Sequence, residues 1–197
     1  QNPELRLPAD GSLRRLMTID LSAIAKWPNV PACYNWLSLD RRGHWRLQGE
    51  RLTHRGLIDF INRQYACDES GNWFVQNGPQ RVFVQLDYTP WIFHLSAGEV
   101  ICHTGNQAGQ VERCFIDEEG NVILKTNSGI GLLDDRDLTF FIDQCLSEHN
   151  ATVDEENWAK IISGETTTKI TWCDLLLSPI RKNQVAELFN FQASPQP

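Results

Sequence analysis

A seven-residue pattern of apolar, Asp, two polar residues, Gly, polar, apolar recurs three times and constrains this chain more than any other feature. It reads Leu39-Asp40-Arg41-Arg42-Gly43-His44-Trp45, then Cys67-Asp68-Glu69-Ser70-Gly71-Asn72-Trp73, then Ile116-Asp117-Glu118-Glu119-Gly120-Asn121-Val122. Asp can turn the chain with its own carboxylate, and Gly supplies the positive φ that closes a short bulged hairpin loop. Alternating apolar positions flank each copy, so three β-hairpins are expected.

The first and third copies extend further. Leu52-Thr53-His54-Arg55-Gly56-Leu57-Ile58-Asp59-Phe60-Ile61 follows the first, and Leu133-Asp134-Asp135-Arg136-Asp137-Leu138-Thr139-Phe140-Phe141-Ile142 follows the third. Each sets a polar capping residue ahead of apolar residues at helical spacing. Leu57 and Ile61 then correspond to Leu138 and Ile142, and Arg55 to Arg136, with four extra residues around Ser128-Gly129-Ile130-Gly131 in the later copy. A duplicated hairpin-plus-helix unit is the simplest account.

Val82–Asp87, Trp91–Leu95, Val100–Cys102 and Lys169–Trp172 read as strands, with Tyr88-Thr89-Pro90 as a break. Ile19–Lys26 reads as a short helix, and Pro179–Phe189 as a helix with Pro in its first turn. The expected class is α+β, with mostly antiparallel sheets and a few packed helices. Met17, the only methionine, reads as the natural start, and residues 1–16 as a non-native or poorly ordered segment. Residues 17–80 form the N-terminal unit and 81–197 the C-terminal unit, packed as one body.

An apolar fraction of 41% with 22% charged residues is that of a globular chain. No run approaches the roughly eighteen apolar residues of a membrane span, and residues 1–16 hold no secretory h-region. Six scattered cysteines without a C-x-x-C pair give no zinc signature and no disulfide framework, and those in apolar surroundings, such as Cys173 after Trp172, read as core. Reduced thiols without a signal point to the cytoplasm. The net charge of −7 disfavours extended nucleic acid as a partner. Charge is uneven. Arg41 to Arg63 holds six arginines against Glu50 and Asp59, whereas Glu112 to Glu156 holds twelve acids against Arg113, Lys125 and Arg136. Either these are solvated faces, or the basic region meets an anionic ligand or an acidic surface.

Gly43-x-Trp45, the helix over 52–64, the Asp87-to-Trp91 step and Lys125-Thr126-Asn127 occur in an order that resembles a bacterial family of uncharacterised conserved proteins. The resemblance covers roughly residues 36–142, and the chain departs from it at Thr89 and Trp91, where the family usually has Ala and Phe. It implies a duplicated core, a C-terminal half superficially like pleckstrin-homology domains, a pocket between the halves for a nucleotide-like molecule, and a signalling role.

Six residues are candidates for an anionic ligand: Arg42, Arg46, Arg55, Asp87, Trp91 and Asn127. Arginines would supply charge-assisted bonds, Trp91 a stacking face, Asp87 a polar anchor at a strand end, and Asn127 a polar group in a Gly-rich loop. Each also has a structural reading, as turn, core or hairpin-loop residue. Chemistry has little to stand on: Cys102 and His103 are adjacent and would face opposite sides of a strand, and no metal spacing or serine elbow is present. The expectation is therefore a non-enzymatic ligand-binding or regulatory protein without cofactor. The alternative is a protein-interaction module, homodimeric or bound to another protein through a sheet edge, the charge asymmetry or an apolar C-terminal helix bearing Val185, Leu188 and Phe189.

Overall fold

The computed structural model describes residues 27–197; the expected segment 1–16 and helix 19–26 lie outside them. Fourteen strands and four α-helices make up this part of the chain. The first sheet takes β1 (Ala32–Leu39), β2 (Trp45–Leu47), β3 (Glu50–Arg51), β4 (Tyr65–Cys67), β5 (Trp73–Asn77) and β6 (Gln80–Leu86), with α1 (Arg55–Gln64) between β3 and β4. The second takes β7 (Trp91–Ser96), β8 (Glu99–Cys102), β9 (Val111–Ile116), β10 (Val122–Thr126), β11 (Gly129–Leu133), β12 (Cys145–Ser147), β13 (Ile170–Trp172) and β14 (Leu175–Pro179). A 3-10 turn (Asp135–Asp137) leads into α2 (Leu138–Asp143); α3 spans Glu155–Ile162 and α4 Lys182–Leu188. The α+β class with mostly antiparallel pairing is as expected, the parallel pairs being β1–β6, β9–β14 and β7–β11.

All three Asp/Gly motifs form one turn. In each, Asp Oδ1 accepts from the backbone N–H groups two and four residues on, at 2.8–2.9 Å for Asp40, Asp68 and Asp117. The Asp backbone also closes the loop with the residue four on, and Gly43, Gly71 and Gly120 take φ of 78°, 81° and 81°. This is a type I turn with a glycine bulge. Two more copies escape the sequence pattern: Cys102 to Asn106, with Gly105 at φ 91°, and Ser147 to Ala151, with Asn150 at φ 55° in the place of glycine, make the same backbone bonds.

The strands run β3-β2-β1-β6-β5-β4 in the first sheet and β12-β13-β14-β9-β10-β11-β7-β8 in the second. Read from β11 to β12, the second sheet repeats the order of the first, with β9 and β14 paired in parallel as β1 and β6 are. That is a likeness of topology and does not show duplication. The expected residue correspondence also breaks in the helices, because Leu57 and Ile61 are buried in α1 whereas Ile142 is 44% exposed and Phe141 fills the core position in α2.

The second sheet is buried on both faces, which is why its strands carry consecutive apolar residues rather than an alternation. Ile92, Phe115, Ile123, Ile130 and Leu132 face the first sheet and join a core with Leu37, Trp45, Leu57, Ile61 and Val84. Phe93, Cys114, Ile116, Leu124 and Leu133 face the other way, against Phe141, Ile161 and Trp172. Two further expectations are corrected. Pro179 ends β14 instead of opening a helix, because its strand pairs with β9 up to Ile116. Cys173 is exposed: it takes φ 47° in the two-residue turn that joins β13 to β14, just after the buried Trp172.

Candidate functional site

The second sheet curls. Its β7–β8 hairpin at one end approaches the β13–β14 hairpin near the other, and a pocket of about 470 Å³ lies between them. Both hairpins turn through two residues of positive φ, Ala97-Gly98 and Cys173-Asp174, as tight two-residue turns between twisted strands require. Leu95, Val100, Val111, Phe140, Trp172 and Leu175 supply apolar wall, and Phe140 from α2 is 52% exposed at the site. Four polar side chains join them: Glu99, Gln107, Gln110 and Gln144. Gln107 Nε2 donates to Glu99 Oε2 at 2.9 Å, and Trp172 Nε1 donates to Gln144 Oε1 at 2.9 Å, so three of the four are hydrogen-bonded to neighbours. Among the described residues, the lining holds no Lys, Arg or His. An apolar cavity with a few oriented polar groups is the usual form of a small-molecule site.

The six residues expected to bind a ligand do not share one cavity. Asn127 touches the pocket wall as a brace: its Oδ1 accepts from Gln110 N at 2.6 Å and its Nδ2 donates to Glu112 Oε1 at 3.2 Å. Arg46 clamps the first turn, donating to Asp40 Oδ2 at 3.1 Å and to Gly49 O at 3.0 Å. Arg42 makes a two-pronged pair with Asp135, at 2.9 and 2.8 Å, that ties the first hairpin to the second sheet. Arg55 is exposed at the start of α1. Asp87 is exposed and lines a different cleft of about 400 Å³ beside Tyr88, Lys182 and Phe191.

Trp91 is half-buried among aromatics, with ring centres 5.4 Å from Tyr65, 5.3 Å from Trp73 and 5.6 Å from His103. Its Nε1 donates to Ser128 O at 3.0 Å, and the buried Thr89 hydroxyl donates to Trp91 O and accepts from Leu132 N. The two departures from the resembled family thus fasten the same junction between the linker and β11. His103 closes this cluster. Its Nδ1 accepts from Ile92 N at 3.2 Å, so the proton sits on Nε2, which is buried without a hydrogen-bond partner among the rings of Trp45, Tyr65 and Trp91. Burial holds its pKa down at about 3, and the imidazole is neutral.

A second polar cluster lies at the 3-10 turn. The Asp134 side chain is fully buried and takes a two-pronged pair from Arg136 at 2.9 and 2.6 Å, with His94 Nδ1 3.4 Å away. Burial opposes its charge, but the bonds from Arg136 prevail and lower its pKa to about 2. Four thiols are buried, and burial pushes Cys102 up to about 11 and Cys114 and Cys145 to about 12.

The pocket has no local signature in the sequence. Its residues come from the β7–β8 hairpin, the loop at 107–111, α2 and the β13–β14 hairpin, and only the closure of the sheet brings them together. A family described as "Protein of unknown function (DUF2946)" matches residues 17–196. The chain belongs to that family. Its DUF2946 fold is similar to that of a DUF1285 family protein from Silicibacter pomeroyi DSS-3, at 13% identity and a TM-score of 0.51, over 85% of this chain and 95% of that one. A DUF1285 family protein from Shewanella baltica OS155 matches at 16% identity and a TM-score of 0.39, over 55% of this chain and 91% of that one. The family match supports the resemblance to a family of uncharacterised conserved proteins, and neither it nor the Silicibacter pomeroyi fold carries the expected likeness to pleckstrin-homology domains. No curated protein matches the chain. Among the described residues, no helix is long and apolar enough to cross a membrane.

Proposed function

We propose that this DUF2946 protein is a non-catalytic, small-ligand-binding regulatory protein whose ligand occupies the pocket between the β7–β8 and β13–β14 hairpins. The observation that carries this reading is the pocket itself, about 470 Å³ with apolar walls and three hydrogen-bonded polar side chains. Among the described residues the lining offers one thiol, Cys173, which burial and the Asp174 charge keep protonated by raising its pKa, and no histidine accompanies it there. The site differs from the one the arginines suggested. Arg42 and Arg46 are engaged in holding the first hairpin, and the described lining of the pocket contains no cation for an anionic or nucleotide-like ligand.

Native mass spectrometry of the chain purified without added ligand, compared with its denatured mass, tests this. A dissociable adduct of small-molecule mass is expected, and it should disappear in Leu175→Trp, which fills the pocket. An adduct retained by that variant, or a bare mass together with no pocket-residue NMR shifts across a fragment library, overturns the reading.

A second reading, a protein-interaction surface, has its own support. Leu146, Thr171 and Leu176 stand opposite one another across β12, β13 and β14, and the two leucines are 39% and 54% exposed. Of the apolar C-terminal helix expected to serve this role, Val185 is buried and Phe189 packs on Phe115, while Leu188 is 55% exposed. A monodisperse monomer by light scattering that keeps its adduct favours the ligand reading; a bare dimer that Leu176→Glu dissociates favours the second.

A further inference from the structure

Resting on the reading of this pocket as the ligand site, we propose that its ligand is an amphiphilic monocation, an ammonium or amidinium group carried on an apolar chain or ring. Glu99 is the only carboxylate in the described lining, and no Lys, Arg or His accompanies it there. An anion entering here meets a carboxylate and finds no charge partner, whereas a cation finds an acceptor ready to make a charge-assisted bond. Gln107 fixes that acceptor. Because Gln107 Nε2 donates to Glu99 Oε2 at 2.9 Å, Glu99 Oε1 and the Gln107 carbonyl oxygen are left to accept, which suits an N–H donor carrying several hydrogens.

The apolar part of the ligand has its own place. Val100, Val111, Phe140 and Leu175 form the wall, and a six-carbon chain is small beside a space of about 470 Å³. The Gln144 NH2 group, whose carbonyl is held by Trp172 Nε1, is left to donate to a hydroxyl or carbonyl on a longer ligand. The surrounding charge favours the same sign. The stretch Glu112–Glu156, with twelve acids and three basic residues, belongs to the half of the molecule that holds the pocket. Such a field attracts cations over about 8–10 Å at moderate salt.

The test compares three probes of equal length, hexylammonium, hexan-1-ol and hexanoate, followed by methyl and amide NMR shifts of Val100, Val111 and Leu175 in the full chain. Hexylammonium should bind about two- to fivefold tighter than hexan-1-ol, with hexanoate weakest, as one ion pair to the exposed Glu99 carboxylate warrants. Glu99→Gln, which keeps the shape and the contact with Gln107, should abolish the preference for hexylammonium without lowering the melting temperature. Equal binding of the alcohol and the amine, or a preference unchanged in Glu99→Gln, overturns the cation while leaving the pocket as the ligand site. Binding of hexanoate at least as tight as that of hexylammonium also overturns it. Absence of shifts with all three probes removes both this inference and the pocket reading beneath it.

Discussion

Gly43 shows how one residue can serve two purposes. Its φ of 78° closes the first hairpin, and a Cβ at that position would lie 2.6 Å from His103 Cβ, so the turn also presses against the buried imidazole of the second sheet. Gly105 has a similar φ of 91°, but a Cβ there would meet no atom within 4 Å. Gly105→Ala should therefore cost only the left-handed backbone penalty, about 1–2 kcal/mol. Gly43→Ala should add an overpacking penalty of about 1–3 kcal/mol, and paired urea melts of the two variants check the difference. The Asp-Gly turns are readable residue by residue because their bonds are local, spanning four residues. The contact with His103 is not, since it joins positions sixty residues apart. Asp87 and Asn127 follow the ends of β6 and β10, as their sequence context indicates, but the bonds of Asn127 to Gln110 and Glu112 lie beyond any local window.

Among the elements, the stretch from Asp134 to Asp143 departs most from its sequence reading. The apolar spacing predicts a continuous helix. The chain instead makes a 3-10 turn over Asp135–Asp137 capped by Asp134, and only then α2, with Phe141 inward. The buried Asp134 carboxylate determines this start, because it accepts from Arg136 N at 2.8 Å as well as from the guanidinium. Its pKa lies at about 2, below the ordinary aspartate value of 3.8, so the folded state favours the charged form. The resulting stability is full above the unfolded pKa and is lost as pH falls toward 2, a contribution on the order of 2 kcal/mol. Arg136→Met should be less stable than the parent at pH 7 and should converge with it near pH 2 in denaturant melts. Helix α3 has a signature that the repeat pattern masks: Asp154 caps it by accepting from Asn157 N, with Trp158, Ile161 and Ile162 following at helical spacing.

On the scale of the whole molecule, the core between the sheets is continuous. Ile92, Phe115, Ile123, Ile130 and Leu132 of the second sheet lie in one cluster with Trp45, Leu57 and Ile61 of the first unit. Polar bonds cross the same boundary, from Tyr65 Oη to Pro90 O at 2.7 Å and from Arg42 to Asp135. The exposed ion pair contributes under about 1 kcal/mol, so the apolar contact dominates the joining. Residues 91–197 expressed alone should expose this face, bind a hydrophobic dye and lack a cooperative melt, while the full chain melts in one transition. A cooperative melt of the fragment with the stability of the full chain would show the inter-sheet core to be dispensable.

The amino-acid sequence by itself determined the three Asp-Gly turns and the α+β class, because each depends on neighbours within a few residues: a carboxylate reaching forward to two amides, a glycine at positive φ, apolar residues at a fixed period. Tertiary structure alone decided which residues enclose a cavity. The two-sided burial of the second sheet, its curl, and the approach of its β7–β8 and β13–β14 hairpins depend on contacts between segments some seventy residues apart. Local propensity carries no record of such contacts, so the arginines that stand out in the sequence hold the scaffold, and unremarked glutamines with Glu99 line the pocket.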